Sequence, residues 1–193
     1  MEIIVRRVKN AHKLVGLVMM IFCLTSFSQD IYDEVRLSLS IEEYEVINAY
    51  YTNENQILKV YYKTQFDKGW STYFNENDNL DLITKNRGLG TNVTDEELAK
   101  ILSYEKRMNI SSEIMNLKPI KLIQKKIKGI TLVKSFDNPY DKNVVRISKP
   151  IIIDDLAVFR STESLGSSIN IMQRKSNKWE LIYTICEWLI LID

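Results

Sequence analysis

Histidine and cysteine are nearly absent from this sequence, which has one histidine and two cysteines in 193 residues. His12 and Cys23 both lie in the first 28 residues, a segment whose removal is predicted below. The rest of the chain therefore excludes Ser-His-Asp and Cys-His catalysis, histidine-ligated zinc and histidine-based pH switching. Cys186 is left without a partner, which excludes an intramolecular disulfide. We expect it to be a small buried side chain in a strand rather than a reactive or dimer-forming thiol.

An excess of charge of one sign is lacking too. The chain has 26 basic and 25 acidic residues; residues 1–28 hold four basic and one acidic, which leaves 22 and 24. A balanced, interspersed pattern does not predict a nucleic acid partner or binding to an anionic membrane surface. Phosphate-loop, dinucleotide-binding, nucleophile-elbow and zinc-helix motifs are missing as well, so we predict no cofactor.

The oxygen-rich stretch from Asn75 to Asp81 is the one candidate for a hard cation. Counted from Asn75, the positions that need glycine and glutamate in a calcium-binding loop hold Leu80 and Asn86. We therefore predict no metal site there and a solvated loop instead.

The N-terminal residues have the charge and apolar order of a secretory signal. A basic segment is followed by an apolar run from Leu14 to Leu24 and by small or polar residues. A helix of this length spans roughly 16 Å, too short for a hydrocarbon core of about 30 Å. Ser26 and Ser28 supply the small side chains that signal peptidase needs, which predicts cleavage between Ser28 and Gln29. The alternative of lipid attachment at Cys23 is disfavoured by the bulky Phe22 before it.

We expect residues 29–193 to form a single α+β domain, in which an N-terminal helix and a second helix pack on one main antiparallel sheet. Capping boxes at Ser40 and Thr94 predict helices over residues 41–52 and 94–108. Residues 57–65 are predicted to form a strand, and residues 66–90 a long loop with at most a short turn of helix. Short β-branched or aromatic runs predict a C-terminal sheet with strands at 120–126, 130–135, 144–149, 156–161, 168–174, 178–186 and 187–192.

Candidate binding residues lie in the long predicted loop, where Trp70, Tyr73 and Phe74 come together. Exposed aromatic rings stack on sugars or peptide side chains, and loops carry recognition residues. The alternative is that the three form a local plug over the core. Asp154-Asp155 is interpreted as a turn between strands rather than half of an acid pair.

The C-terminal third resembles a group of small exported proteins of Gram-negative bacteria that has no assigned activity. The resemblance is carried by Ser148–Ile151, Leu156–Phe159, the Gly166 turn, Lys178–Ile182 and Ile185–Trp188, and by the helix segment Glu43–Ala49. It implies an envelope or secreted location and no particular site. Members often carry a cysteine- and glycine-rich turn where this chain has Ser164–Ser168, so a disulfide there is absent.

The sequence thus predicts an exported domain, periplasmic or secreted, that binds a protein or glycan partner without catalysis and has no stable membrane span after cleavage. One alternative is a carboxylate-dependent hydrolase acting on glycans, because paired Asp and Glu residues catalyse hydrolysis without histidine. Another is a structural component of the envelope, which would expose a broad apolar patch.

Overall fold

The computed structural model describes residues 38–52, 58–75, 79–89, 91–134, 144–163 and 166–189. The predicted signal segment, its cleavage site and Cys23 lie outside the described residues. Five α-helices and seven strands occur in the described part: α1 Ile41–Tyr51, β1 Leu58–Tyr61, α2 Thr72–Asn75, α3 Asn79–Lys85, α4 Asp95–Ile101, α5 Tyr104–Met115, β2 Ile130–Val133, β3 Val144–Ile147, β4 Ile151–Ile153, β5 Leu156–Glu163, β6 Gly166–Lys175 and β7 Lys178–Leu189.

The strands form one mostly antiparallel sheet, which confirms the α+β class. Its order is β2-β1-β3-β5-β6-β7, with β4 paired to β5 beside the end of β3. The long hairpins β5-β6 and β6-β7 are antiparallel, whereas β1 pairs in parallel with both β2 and β3. The β6-β7 turn places Ser176 and Asn177 at positive φ, 48° and 64°, as a two-residue hairpin requires.

Helices cover both faces of the sheet. Alternate residues of β5 point in opposite directions, so Ala157 and Phe159 pack with Val46 of α1. Leu156 and Val158 point to the other face, where they pack with Trp70 and with Ile110 of α5. The core is therefore divided into two layers by the sheet.

The first predicted helix is confirmed as α1. Ser40 Oγ accepts a hydrogen bond from the Glu43 N–H (3.1 Å), and the Glu43 carboxylate accepts one from the Ser40 N–H (2.7 Å). This is the reciprocal capping box that the sequence indicates.

The second predicted helix, 94–108, is wrong in its extent because two helices occupy the region. Thr94 caps α4 as predicted, but α4 ends at Ile101, and Leu102 leaves the helical conformation with ψ 63°. Ser103 then caps α5 by accepting a hydrogen bond from the Lys106 N–H. The apolar stripe runs through both helices, since Leu98, Leu102 and Ile110 all enter the same core layer.

Three other assignments need correction. Residues 66–90 are not mainly a loop, since they contain a 3-10 turn (Gly69–Ser71), α2 and α3. Residues 120–126 contain one bridge at Lys121 and a 3-10 turn at Gln124–Lys126 in place of a strand. Strand β4 directly follows Pro150, where the sequence indicates only a break. These elements are too short for periodicity to show, and contacts with the sheet determine them.

Candidate functional site

The predicted aromatic residues of the 66–90 segment do not form an exposed surface. Trp70 and Phe74 are each only 1% exposed, and their rings meet edge to face at 6.2 Å between centroids. The Trp70 indole N–H donates to the Asp67 carbonyl (2.8 Å), so its polar atom is also satisfied. The prediction that these aromatic rings are exposed is wrong for Trp70 and Phe74. The alternative, a local plug over the core, describes both residues better. Burial of the apolar rings against α5 and the sheet is the physical reason.

Tyr73, the third predicted residue, is half-buried and lies at the edge of the same core layer. Burial raises the pKa of its phenol above the ordinary value, and the negative charge of Glu187 adds to this effect. Arg160 acts in the opposite direction on the same pKa. Tyr73 is therefore next to a charged cluster that the sequence did not predict.

Arg160 is the centre of that cluster. Its Nε donates to Glu187 and its terminal nitrogen donates to Asp67 (2.7 Å). Glu187 also accepts a hydrogen bond from the Ser167 hydroxyl (2.7 Å), and Ser167 is 3.1 Å from the Thr162 hydroxyl. The side chains of Arg160 and Glu187 are 11% and 10% exposed, whereas that of Asp67 is 57% exposed.

The hydrolase alternative requires a pair of carboxylates, and this cluster contains two, Asp67 and Glu187. Asp67 and Glu187 both bind the same guanidinium, and charge-assisted bonds of this kind fix the positions of the side chains. Their positions in the chain are 93 and 27 residues from Arg160, so no local motif could have indicated them. The arrangement directly explains how the 66–75 segment is fixed to the sheet.

The remaining predicted residues lie away from this cluster. Asp154-Asp155 forms the turn between β4 and β5, as predicted, with Asp154 at φ 55°. A hydrogen bond from Gln173 lowers the pKa of Asp155, and the Lys106 ammonium contributes to this shift. Within the described ranges no group of three or more acidic, histidine or cysteine residues could hold a metal ion; residues 76–78 of the oxygen-rich stretch are outside those ranges.

Cys186 lies in β7, as predicted, and is a free thiol. It is half-buried rather than fully buried, because the segment around Gly88 covers only part of it. A Cβ placed on Gly88 would come within 2.9 Å of the Cys186 sulfur, so the absence of a side chain at Gly88 permits this close approach.

A groove of about 410 Å³ lies beside β4. Its walls are the start of α1, with Glu42 and Glu43, and the outer face of α5, with Asn109, Ser112 and Glu113. The strand segment Lys149–Ile153 forms the third wall. Lys149 binds Glu43 (3.2 Å) across one end, and Glu42 contacts Arg174. The groove therefore joins a helix, a strand and a helix N-terminus from three distant parts of the chain.

Strand β4 presents an open edge to this groove. A two-residue turn joins β4 to β5, so Ile153 and Leu156 are the hydrogen-bonded pair that closes the hairpin. Hydrogen-bonded and non-hydrogen-bonded pairs alternate along an antiparallel ladder, so the N–H and C=O of Ile152 point away from β5. Strand β1 covers the corresponding edge of β3. The last pairing of this segment is between Gln65 and Ser148, after which the chain leaves the sheet and does not continue along β4. In the described part of the chain, nothing hydrogen-bonds to the outward peptide groups of Ile152.

The other two sheet edges are covered. At β2, the Gln124 side chain donates to the Ile130 carbonyl (2.7 Å) and accepts from the Leu132 N–H (2.7 Å), as a neighbouring strand would. At β7, the Gly88 N–H donates to the Thr184 carbonyl (2.7 Å) and the Asn92 N–H to that of Ile182 (2.9 Å). Proteins commonly protect edges in such ways against unwanted pairing. Among the sheet edges seen in the described ranges, the open one at β4 is therefore the exception.

Comparisons with family models, with curated proteins and with solved structures found no match. Among the described helices, none has the length and apolar character needed to cross a membrane.

Proposed function

We propose that this chain is an exported binding protein, and that the groove beside β4 is its binding site. The open peptide groups of Ile152, facing a 410 Å³ groove while the edges at β2 and β7 are covered, are the observation that carries the proposal. Binding sites are concave and combine polar groups with apolar surface, and this groove offers both. Asn109, Ser112 and Glu113 supply polar atoms, and Ile151–Ile153 the apolar surface.

Export is supported by the order of basic, apolar and small residues in residues 1–28. The location would be the periplasm or the medium, in agreement with the resemblance to exported proteins of Gram-negative bacteria. Mass spectrometry of the protein from its native host is expected to find an N-terminus at or near Gln29. A cytoplasmic product that retains Met1 would contradict export.

Binding in the groove is tested without knowledge of the ligand by soaking crystals in a library of small fragments that includes amino-acid amides and monosaccharides. We expect the occupied positions to cluster between α5 and β4. Ser112→Trp, on the groove wall, should remove them, whereas Glu105→Trp, on the same helix but outside the lining, should not. Fragments bound around Tyr73 instead would move the site back to the aromatic segment.

A further inference from the structure

We infer that the occupant of the groove is an extended protein segment with a basic side chain, which adds to the sheet as a strand beside β4. This inference rests on the proposed function, since it specifies what the proposed site binds. Extended peptides bind exposed sheet edges through main-chain hydrogen bonds, and neighbouring pockets read their side chains. A groove between an edge strand and a helix is suited to this mode of recognition.

The main-chain part of the recognition is supplied by Ile152. Its N–H and C=O point into the groove because the ladder alternates, and no residue that the structure describes hydrogen-bonds to either group. Pro150 precedes β4 and has no N–H to donate, so the edge can accept only a short segment. We expect one donor and one acceptor from Ile152 to align the bound chain antiparallel or parallel to β4.

The side-chain part is supplied by the charges of the lining. Glu42 is bound to Arg174 and Glu43 to Lys149, so both of these carboxylates are neutralised by the protein itself. Glu113 lies on the exposed face of α5 and has no ion-pair partner among the described residues. A lysine or arginine of the bound segment would complete this pairing across the groove. A neutral glycan would offer hydroxyl hydrogen bonds but no positive charge to pair with Glu113.

The experiment measures binding of three fluorescent hexapeptides to the full-length protein. The first alternates valine and lysine, the second alternates valine and glutamate, and the third is the valine-lysine peptide with alternate peptide nitrogens methylated. We expect the first to bind at least about tenfold more tightly than either of the others, which corresponds to 1.4 kcal/mol. Equal binding of all three would overturn the inference.

Two variants and one control locate the bound peptide. Ile152→Pro removes the outward N–H, and proline is accepted on an edge strand where that group faces away from the neighbour. Glu113→Lys reverses the charge opposite the basic side chain. Each should weaken the valine-lysine peptide about tenfold or more, whereas Glu105→Lys, the same charge change elsewhere on α5, should change its affinity less than about twofold.

Hydrogen exchange gives a result even where Ile152→Pro fails to fold. In the unaltered protein the Ile152 amide should exchange quickly and become protected when the valine-lysine peptide is added. Peptide binding with an unprotected Ile152 amide would overturn strand addition. If fragments occupy the groove but the peptides do not bind, the proposed function stands and this inference fails. If neither binds, both fail.

Discussion

At the scale of single residues, Trp70 shows how burial determines what an aromatic side chain does. The ring is 1% exposed and its N–H is bonded to the Asp67 carbonyl, so the residue has both apolar and polar reasons to stay inside. The Trp70 ring packs in the core layer between the sheet and α5, beneath the 66–75 segment. Its neighbour Phe66, in contrast, is 56% exposed.

We expect Trp70→Ala to lower the free energy of unfolding by about 3 to 5 kcal/mol, because it removes a large buried ring and leaves a cavity. Phe66→Ala, an aromatic deletion four residues away, should change it by less than about 0.5 kcal/mol. Urea unfolding followed by circular dichroism measures both. A small loss for Trp70→Ala would return this residue to the list of binding candidates.

The Arg160 cluster allows a matched comparison of two carboxylates on one cation. Glu187→Ala should cost about 3 kcal/mol or more, because it leaves a nearly buried guanidinium with less compensation and removes one acceptor of the Ser167 hydroxyl. Asp67→Ala should cost less, about 1 kcal/mol, since Asp67 is mostly exposed and loses only a weak ion pair and a local hydrogen bond from the Gly69 N–H. Equal losses in urea unfolding would show that burial does not control the strength of these pairs.

At the scale of elements, residues 86–89 and 91–92 protect the edge of β7 without forming a strand. Arg87 bridges to Ile185, and the Cys186 N–H donates to the Asn86 carbonyl (2.7 Å). The chain can lie this close to β7 only because Gly88 has no side chain against Cys186 and Thr184.

Gly88→Ala should lower the free energy of unfolding by about 1 to 3 kcal/mol, because the new methyl group would overlap both side chains. The Cys186 thiol should also react faster with a thiol reagent as the segment is displaced. In the double variant with Cys186→Ala, part of the stability should return, which a double-mutant cycle quantifies. No recovery would assign the loss to Thr184 alone.

The helices show which element boundaries are local. The start of α1 follows from Ser40 and Glu43, which lie three positions apart and hydrogen-bond to each other's backbone N–H. The break between α4 and α5 is also signalled locally by Ser103, but a cap without a following Glu or Gln is easily passed over inside a continuous apolar stripe. Helix α2, with only four residues, depends on Phe74 being buried in the core.

At the scale of the whole molecule, the two core layers hold three tyrosines whose phenols resist ionisation. Burial is the largest cause that raises the pKa of Tyr44, Tyr73 and Tyr183 above their ordinary value. The neutral phenol is therefore favoured in the folded state. Its contribution to stability is complete below the unfolded tyrosine pKa of about 10 and is lost as the pH rises through the folded values.

We expect the free energy of unfolding to fall steeply above pH about 10, measured by urea unfolding over an alkaline pH series. Tyr73→Phe should make the decline shallower, because one phenol with a raised pKa is removed. At the acid end Asp155 acts with the opposite sign: its lowered pKa adds stability that disappears as the pH falls through the folded value. An alkaline slope unchanged by Tyr73→Phe would contradict the role given to this residue.

The α+β class, the first helix, both capping boxes and most C-terminal strands were determined by the sequence itself. Capping, turn residues and alternation act over a few positions, so their signals are complete within short stretches of chain. The export signal is equally local, and it stays a prediction. The exclusion of histidine and disulfide chemistry follows from composition only if the predicted signal, which holds His12 and Cys23, is removed.

Only the tertiary structure decided which aromatic residues are buried, which carboxylates meet and which strand edge is open. Asp67 reaches Arg160 across 93 positions, and the groove joins residues from Ser40 to Ile153. The side chain of Gln124 serves as a substitute strand at one edge, and the departure of the chain after Gln65 leaves another open. Such features depend on the mutual position of elements that are distant in the chain, and no pattern within either partner encodes them.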